Sequence, residues 1–155
     1  MTMVLVQIAE PASRNPTHQE GEFTEKTGEK PVYGGTLVWG TASKPTIINP
    51  ILTQTSVSAS LVSLIFDSLV RINAKGQVEP GIAESWTVSD DGLIYTFFLK
   101  SGVRFHDGIE LTAEDVKFTY ELIIDPRTQS PYQTHFEPVE KFETIGRYTF
   151  RVTLK

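Results

Sequence analysis

Cysteine is missing from all 155 positions, so within these residues there is no disulfide, no thiolate metal site and no catalytic thiol. Basic excess is missing too. Lys and Arg number 14 against 19 Asp and Glu, for a net charge of −5, and no Lys/Arg stripe is available to displace counterions from phosphates. That balance argues against a nucleic-acid partner and fits a solvated acidic surface. No run of 18 apolar residues occurs, so no segment reads as a membrane-spanning helix. Internal repeats are absent. No Gly-x-Ser-x-Gly elbow is present, and none of the many serines has an evident His-Asp pair in support. A metal site of three or four converging ligands finds no basis in His18, His106 or His135, because none has a second ligand at i+2 or i+4 on a common element.

What remains is the composition of a soluble globular chain, 39% hydrophobic and 21% charged, long enough to bury one core. Residues 1–9 are apolar but lack a basic start and are too short for a full leader, so they read as at most a truncated remnant of one. Between Glu10 and Tyr33 lie three prolines, five acidic and three basic residues and only two aromatics. Such a stretch buries too little apolar surface to offset backbone entropy, and residues 1–33 are expected to be a flexible linker. Residues 35–41 read as a strand with Leu37 and Trp39 on one face. Residues 42–54 carry Pro45 and Pro50 and should be irregular. Thr55 or Ser56 then caps a helix to about Asp67 with Ala59, Val62, Ile65 and Phe66 as its apolar stripe. Residues 69–72 form a short strand before a turn at residues 73–76.

The densest signals run from Pro80 to Val116. A turn through Glu84, Ser85 and Trp86 leads to a strand at residues 87–89. Asp90-Asp91-Gly92 is a hairpin turn, because Gly tolerates positive φ and Asp bonds its own backbone two residues on. Residues 94–99 are aromatic and branched, hence a strand. Gly102 and Gly108 bracket a short strand and turn at residues 103–107. Thr112 caps a helix whose first turn holds Glu114 and Asp115, where the helix dipole favours negative charge. This helix must stop before Pro126, and its Val116, Tyr120 and Ile123 face the core. Residues 138–145 and 148–154 make a last hairpin, the second strand expected as an unpaired edge. Strands and helices mix without regular βαβ alternation, which predicts an α+β fold with a mainly antiparallel sheet.

Taken in order, the Pro-Gly-x-Ala-Glu-x-Trp run at 80–86, the Ser-x-Asp-Gly-x-x-Tyr-x-Phe-x-Leu hairpin at 89–99, Gly-Val-x-Phe-His-Asp-Gly at 102–108 and Leu-Thr-Ala-Glu-Asp-Val at 111–116 resemble the extracytoplasmic solute-binding proteins of family 5. These are the peptide- and nickel-binding components of ABC importers. Gly34-Gly35-Thr36-Leu37 looks like the family's first mature strand. The resemblance implies a two-lobed periplasmic-binding-protein-like fold, of which residues 34–155 would be part of one lobe, with the second lobe missing. It implies an extracytoplasmic location, capture of oligopeptides or dipeptides by closure of the lobes, and delivery to an ABC permease in the membrane. The same receptor fold could instead carry nickel complexes, sugars or other solutes.

Candidate side chains divide accordingly. The loop at residues 43–50 follows the first strand; the family's matching loop faces the cleft, which makes Thr46 and Asn49 the expected substrate contacts, against the plainer reading of Asn49-Pro50 as a simple turn. Trp86 and Trp39 are expected to pack in the core rather than stack on ligand. His106-Asp107 reads as an Asp-Gly turn. Glu114 and Asp115 diverge by about 100° on a helix and so do not converge on one substrate. No catalytic residue, metal ligand or cofactor motif is identified. Two readings outside the receptor class are a small α+β enzyme with His106 as base and an interaction module that pairs through a sheet edge.

Overall fold

The computed structural model describes residue 36, residues 38–41 and residues 43–155. The expected linker at residues 1–33 lies outside the described residues, as do Leu37 and His18. Thr36 and residues 38–41 are not in a strand, contrary to the alternation read there, and Trp39 is 52% exposed rather than packed.

Residues 43–155 form one compact unit. Its centre is an antiparallel sheet of four strands: β3 (Ala83–Val88), β4 (Ile94–Leu99), β5 (Val139–Gly146) and β6 (Thr149–Leu154), in the order β3-β4-β6-β5. A separate ribbon pairs β1 (Val70–Ile72) with β2 (Val78–Pro80). Two helices complete the unit, α1 (Ser56–Ile65) and α2 (Ala113–Ile124), with short 3-10 turns at Pro126–Thr128 and Gln133–Phe136. The α+β expectation and the antiparallel sheet are therefore observed.

Period-two alternation puts Phe97, Leu99, Phe150, Val152 and Phe142 on the covered face. Helix α2 lays Val116, Tyr120 and Ile123 onto it, all essentially inaccessible to water. Tyr120 is the hub: its ring stacks at 5.3 Å on Phe150 and 5.2 Å on Phe142, and meets Phe136 edge-on at 5.5 Å. Such offset and edge contacts add to plain burial. The helix begins where expected, at a capping box: Thr112 is the N-cap with its side chain toward the Asp115 backbone N–H, and the Asp115 carboxylate in return accepts the Thr112 backbone N–H and hydroxyl, each at 2.8 Å. Glu114 turns elsewhere, to the Thr144 hydroxyl, so the two neighbouring carboxylates do diverge.

Several boundaries differ from the sequence expectations. The expected turn through Trp86 is strand, because β3 starts at Ala83 and absorbs one extra residue in a bulge between Ala83 and Ser85. Residues 103–107 contribute only an isolated bridge between Arg104 and Glu110. Helix α1 stops at Ile65, short of Asp67, and its expected stripe is only half covered: Ala59 and Ile65 are exposed, Val62 is half-buried, and Phe66, just past the helix, packs against the core, while Ser58 is the one buried residue of the helix. Most consequential is β6, which lies between β4 and β5 with both edges paired. The edges of this sheet are β3 and β5, so the unpaired edge expected at residues 148–154 is not there.

Trp86 is half-buried against the core, opposite Phe97 across β3 and β4. Full burial of Trp is worth about 3–5 kcal/mol on truncation. At this half-covered edge position, Trp86→Ala is expected to cost about 2 kcal/mol by chemical denaturation; a change below about 0.5 kcal/mol, the range of an ordinary surface substitution, would remove Trp86 from the packing.

Candidate functional site

The loop at residues 43–50 is fixed from both sides by hydroxyl groups. The Thr46 backbone N–H donates at 3.1 Å to the Ser58 hydroxyl, which points out of the first turns of α1 although Ser58 itself is buried. That helix start is set by Thr55, whose hydroxyl accepts the Ser58 N–H at 3.3 Å. At the far end, Thr53 is 2% exposed and donates to the Asn49 carbonyl at 2.6 Å and to the Ile47 carbonyl at 3.2 Å. The next layer comes from 79 positions away: the Ser130 hydroxyl donates to the Ile51 carbonyl at 2.7 Å, and the Tyr132 hydroxyl to the Thr53 carbonyl. An irregular segment needs such partners, since its buried carbonyls have no ladder to join.

Both expected contact residues sit on this loop, in different situations. Thr46 is exposed, with its backbone held and its side chain facing water. Asn49 is half-buried, and its side-chain oxygen accepts the Ile51 N–H at 3.1 Å, the Asx turn of the plainer reading. Between them Ile47 and Ile48 stand 44% and 50% exposed. The loop therefore offers a hydroxyl beside two apolar side chains on a backbone hydrogen-bonded at Thr46, Ile47 and Asn49. Sequence reasoning missed Ser58, Thr53, Ser130 and Tyr132, which hold it. Only Ser58 had a local signal, its place three residues after the capping Thr55.

The other groups weighed for chemistry are apart. His106 is exposed at the tip of the segment between Gly102 and Glu110, where Asp107 accepts the Ile109 N–H at 2.9 Å and makes the turn. His135 lies in the second 3-10 turn, its ring 6.1 Å from that of Tyr132. Among the described residues no three His, Cys, Asp or Glu side chains gather as metal ligands.

The profile of the bacterial extracellular solute-binding proteins, family 5 Middle, matches residues 77–155, which takes in the whole four-stranded sheet and α2. The oligopeptide-binding protein AppA of Bacillus subtilis is 34% identical over 84% of this chain and 24% of its own length. Its structure in complex with a nonapeptide superposes with a TM-score of 0.71 at 31% identity, covering 74% of this chain and 23% of AppA. Heme-binding protein A of Haemophilus influenzae is 37% identical over 99% of this chain and 30% of its own. NikZ from Campylobacter jejuni, solved with Ni(L-His), is 32% identical with a TM-score of 0.66, over 72% of this chain and 22% of NikZ. The chain thus spans between 16% and 30% of the curated relatives named as binding oligopeptides or heme. Profile, relatives and superposition agree, and the chain belongs to family 5 of the bacterial extracellular solute-binding proteins.

Proposed function

We propose that this chain is part of the extracytoplasmic solute-binding component of an ABC importer, that its solutes are oligopeptides or dipeptides, and that the loaded receptor hands them to a permease in the membrane. It acts by binding and not as an enzyme. The observation that carries the reading is the likeness to AppA, at 34% identity over 84% of the chain and in fold to the nonapeptide complex. In this reading Thr46 and Asn49 contribute to ligand contact, through the Thr46 hydroxyl and the backbone of a loop held rigid by Ser58 and Thr53. A rigid loop loses little conformational freedom when a ligand arrives, which favours affinity. Closure follows if the ligand touches a further surface more strongly in the closed than in the open state.

Nickel complexes form the second reading, supported by NikZ, whose identity of 32% is level with AppA's 31% in the solved structures. Chemical-shift mapping on the 155-residue chain separates the two. Addition of a mixed dipeptide and oligopeptide pool is expected to move the amides of residues 43–50, with a Kd of about 1 mM or weaker because one loop supplies few contacts. Shifts there with Ni(L-His) and none with peptides would transfer the cargo to metal complexes. No shift at residues 43–50 with either would remove the loop from the site.

A further inference from the structure

Glu110 ties the start of its own hairpin to a turn 37 residues away in sequence. One carboxylate oxygen accepts the Gly102 N–H at 2.9 Å and the Tyr148 hydroxyl at 2.8 Å, and the other accepts the Arg147 guanidinium at 2.8 Å. Gly102 follows the end of β4, and Arg147 and Tyr148 form the turn between β5 and β6. Arg147 also binds in the other direction, since its backbone carbonyl accepts the N–H of Ala113, the first residue of α2. The segment between Gly102 and Glu110 is closed on itself by backbone bonds from Phe105 to Ile109, from Gly108 to Phe105 and from Leu111 to Val103, all between 2.8 and 2.9 Å. Val103 and Phe105 of this segment pack against the core, and residues 106–109 at its tip, Ile109 at 64%, are exposed. Glu110 is thus the ionisable tie between a small projecting hairpin and the turn that seats the helix.

We propose that Glu110 is a latch: ionised, it clamps the hairpin at residues 102–110 to the β5–β6 turn, and protonated it lets that hairpin swing while the sheet and α2 stay folded. Charge-assisted bonds are the strong ones, and a neutral carboxyl loses the ion-pair part of the Arg147 contact. The groups that face the carboxylate are Arg147 and Tyr148 from the turn. From its own hairpin, Arg104 turns its guanidinium to the Gly108 carbonyl and Asp107 accepts from Ile109, with His106 beside it at the tip. At the start of α2, Asp115 is occupied by Thr112. The Tyr148 hydroxyl, then the Gly102 N–H and Arg147, hold the Glu110 carboxyl below the ordinary glutamate range. The latch is therefore complete above about pH 4.3, where an unfolded glutamate ionises, and is lost as pH falls through that value and then through the lower folded one.

Hydrogen exchange on the 155-residue chain, corrected for intrinsic rates, reads this directly. Relative to sheet amides such as Phe97 and Phe150, protection of Gly102, Phe105 and Leu111 should fall about tenfold as the pH is lowered from about 6 to about 3. Glu110→Gln should show the low value already at neutral pH, with a flat profile, and Arg147→Gln should lie between. Loss of protection in step with the sheet, or a Glu110→Gln profile equal to wild type, would overturn the latch. Should Glu110→Gln fail to fold, the wild-type and Arg147→Gln profiles decide: parallel, pH-independent curves for hairpin and sheet refute it.

Discussion

Replacing Gly81 by alanine is expected to be among the most damaging single-methyl changes available to this chain, at about 3 kcal/mol or more. Gly81 joins β2 to β3 and runs directly beneath the chain that leads into β1. A Cβ built there overlaps the Ser68 carbonyl oxygen and lies 3.0 Å from the Leu69 carbonyl oxygen. Both obstacles are backbone, so neither can swing aside as a flexible side chain would. The same crossing supplies two hydrogen bonds, from Ile82 to the Ser68 carbonyl at 3.0 Å and from Ala83 to the Leu69 carbonyl at 2.9 Å. Pushing the strands apart to admit the methyl therefore also lengthens those bonds, in a region where Leu69, Ile82 and Ala83 are buried. Gly92 provides the control. It has open space around its Cα but a φ of 74°, so Gly92→Ala meets only the left-handed penalty of about 1–2 kcal/mol. Urea denaturation of the two variants should rank Gly81→Ala well below Gly92→Ala; equal midpoints would mean that the crossing yields easily.

That glycine also explains one of the motifs. In the Pro80-Gly81-x-Ala83 run, Pro80 ends β2, where it pairs with Val70, Gly81 admits the crossing chain, and Ala83 is small because it is fully buried beside Leu69. Sequence alone marked the run as a turn, since the requirement for small residues comes from a chain 12 positions earlier, and close approach leaves no local periodicity.

Other parts were legible for the opposite reason. The turns at Asp91-Gly92 and Asn73 to Gly76 carry their own chemistry: Asp91 accepts the Leu93 N–H at 3.0 Å, and Asn73 accepts the Lys75 and Gln77 N–H groups at 2.9 and 3.0 Å. The span of β4 is the one expected from its run of aromatic and branched residues, and α2 stops before Pro126 as the proline demands. Strand order was not legible. A strand with one covered face alternates in the same way whether it is central or at the edge, so β6 could be recognised as a strand but not placed between β4 and β5. Helix α1 shows a related limit, because its periodicity marks an apolar side without saying whether anything in this chain covers it. For the candidate site, the loop could be located by its prolines, yet the side chains that hold it, Ser130 and Tyr132, act across 79 residues and leave no pattern near it.

Phe150→Ala should have the other large effect, a loss of about 3–5 kcal/mol. Phe150 is fully buried on the central strand β6, stacked 5.3 Å from Tyr120, 6.0 Å from Phe142 and 6.3 Å from Phe97. Its ring is therefore the point where α2, β4, β5 and β6 share contacts, and its removal leaves a cavity bordered by three aromatic rings. Rings that are held by one another collapse poorly into a void, which puts the cost at the upper end of the range. A single domain has about 5–15 kcal/mol of stability in all, so the substitution consumes a third or more of it. Phe142→Leu, which keeps most of the volume next to the same hub, should cost about 1 kcal/mol. Thermal melts followed by near-ultraviolet circular dichroism test both changes together, since the aromatic signal reports the cluster itself. A Phe150→Ala protein that melts within a few degrees of wild type would show that the cluster is not what holds α2 to the sheet, and would move that role to the Glu110 and Asp115 contacts at the helix start.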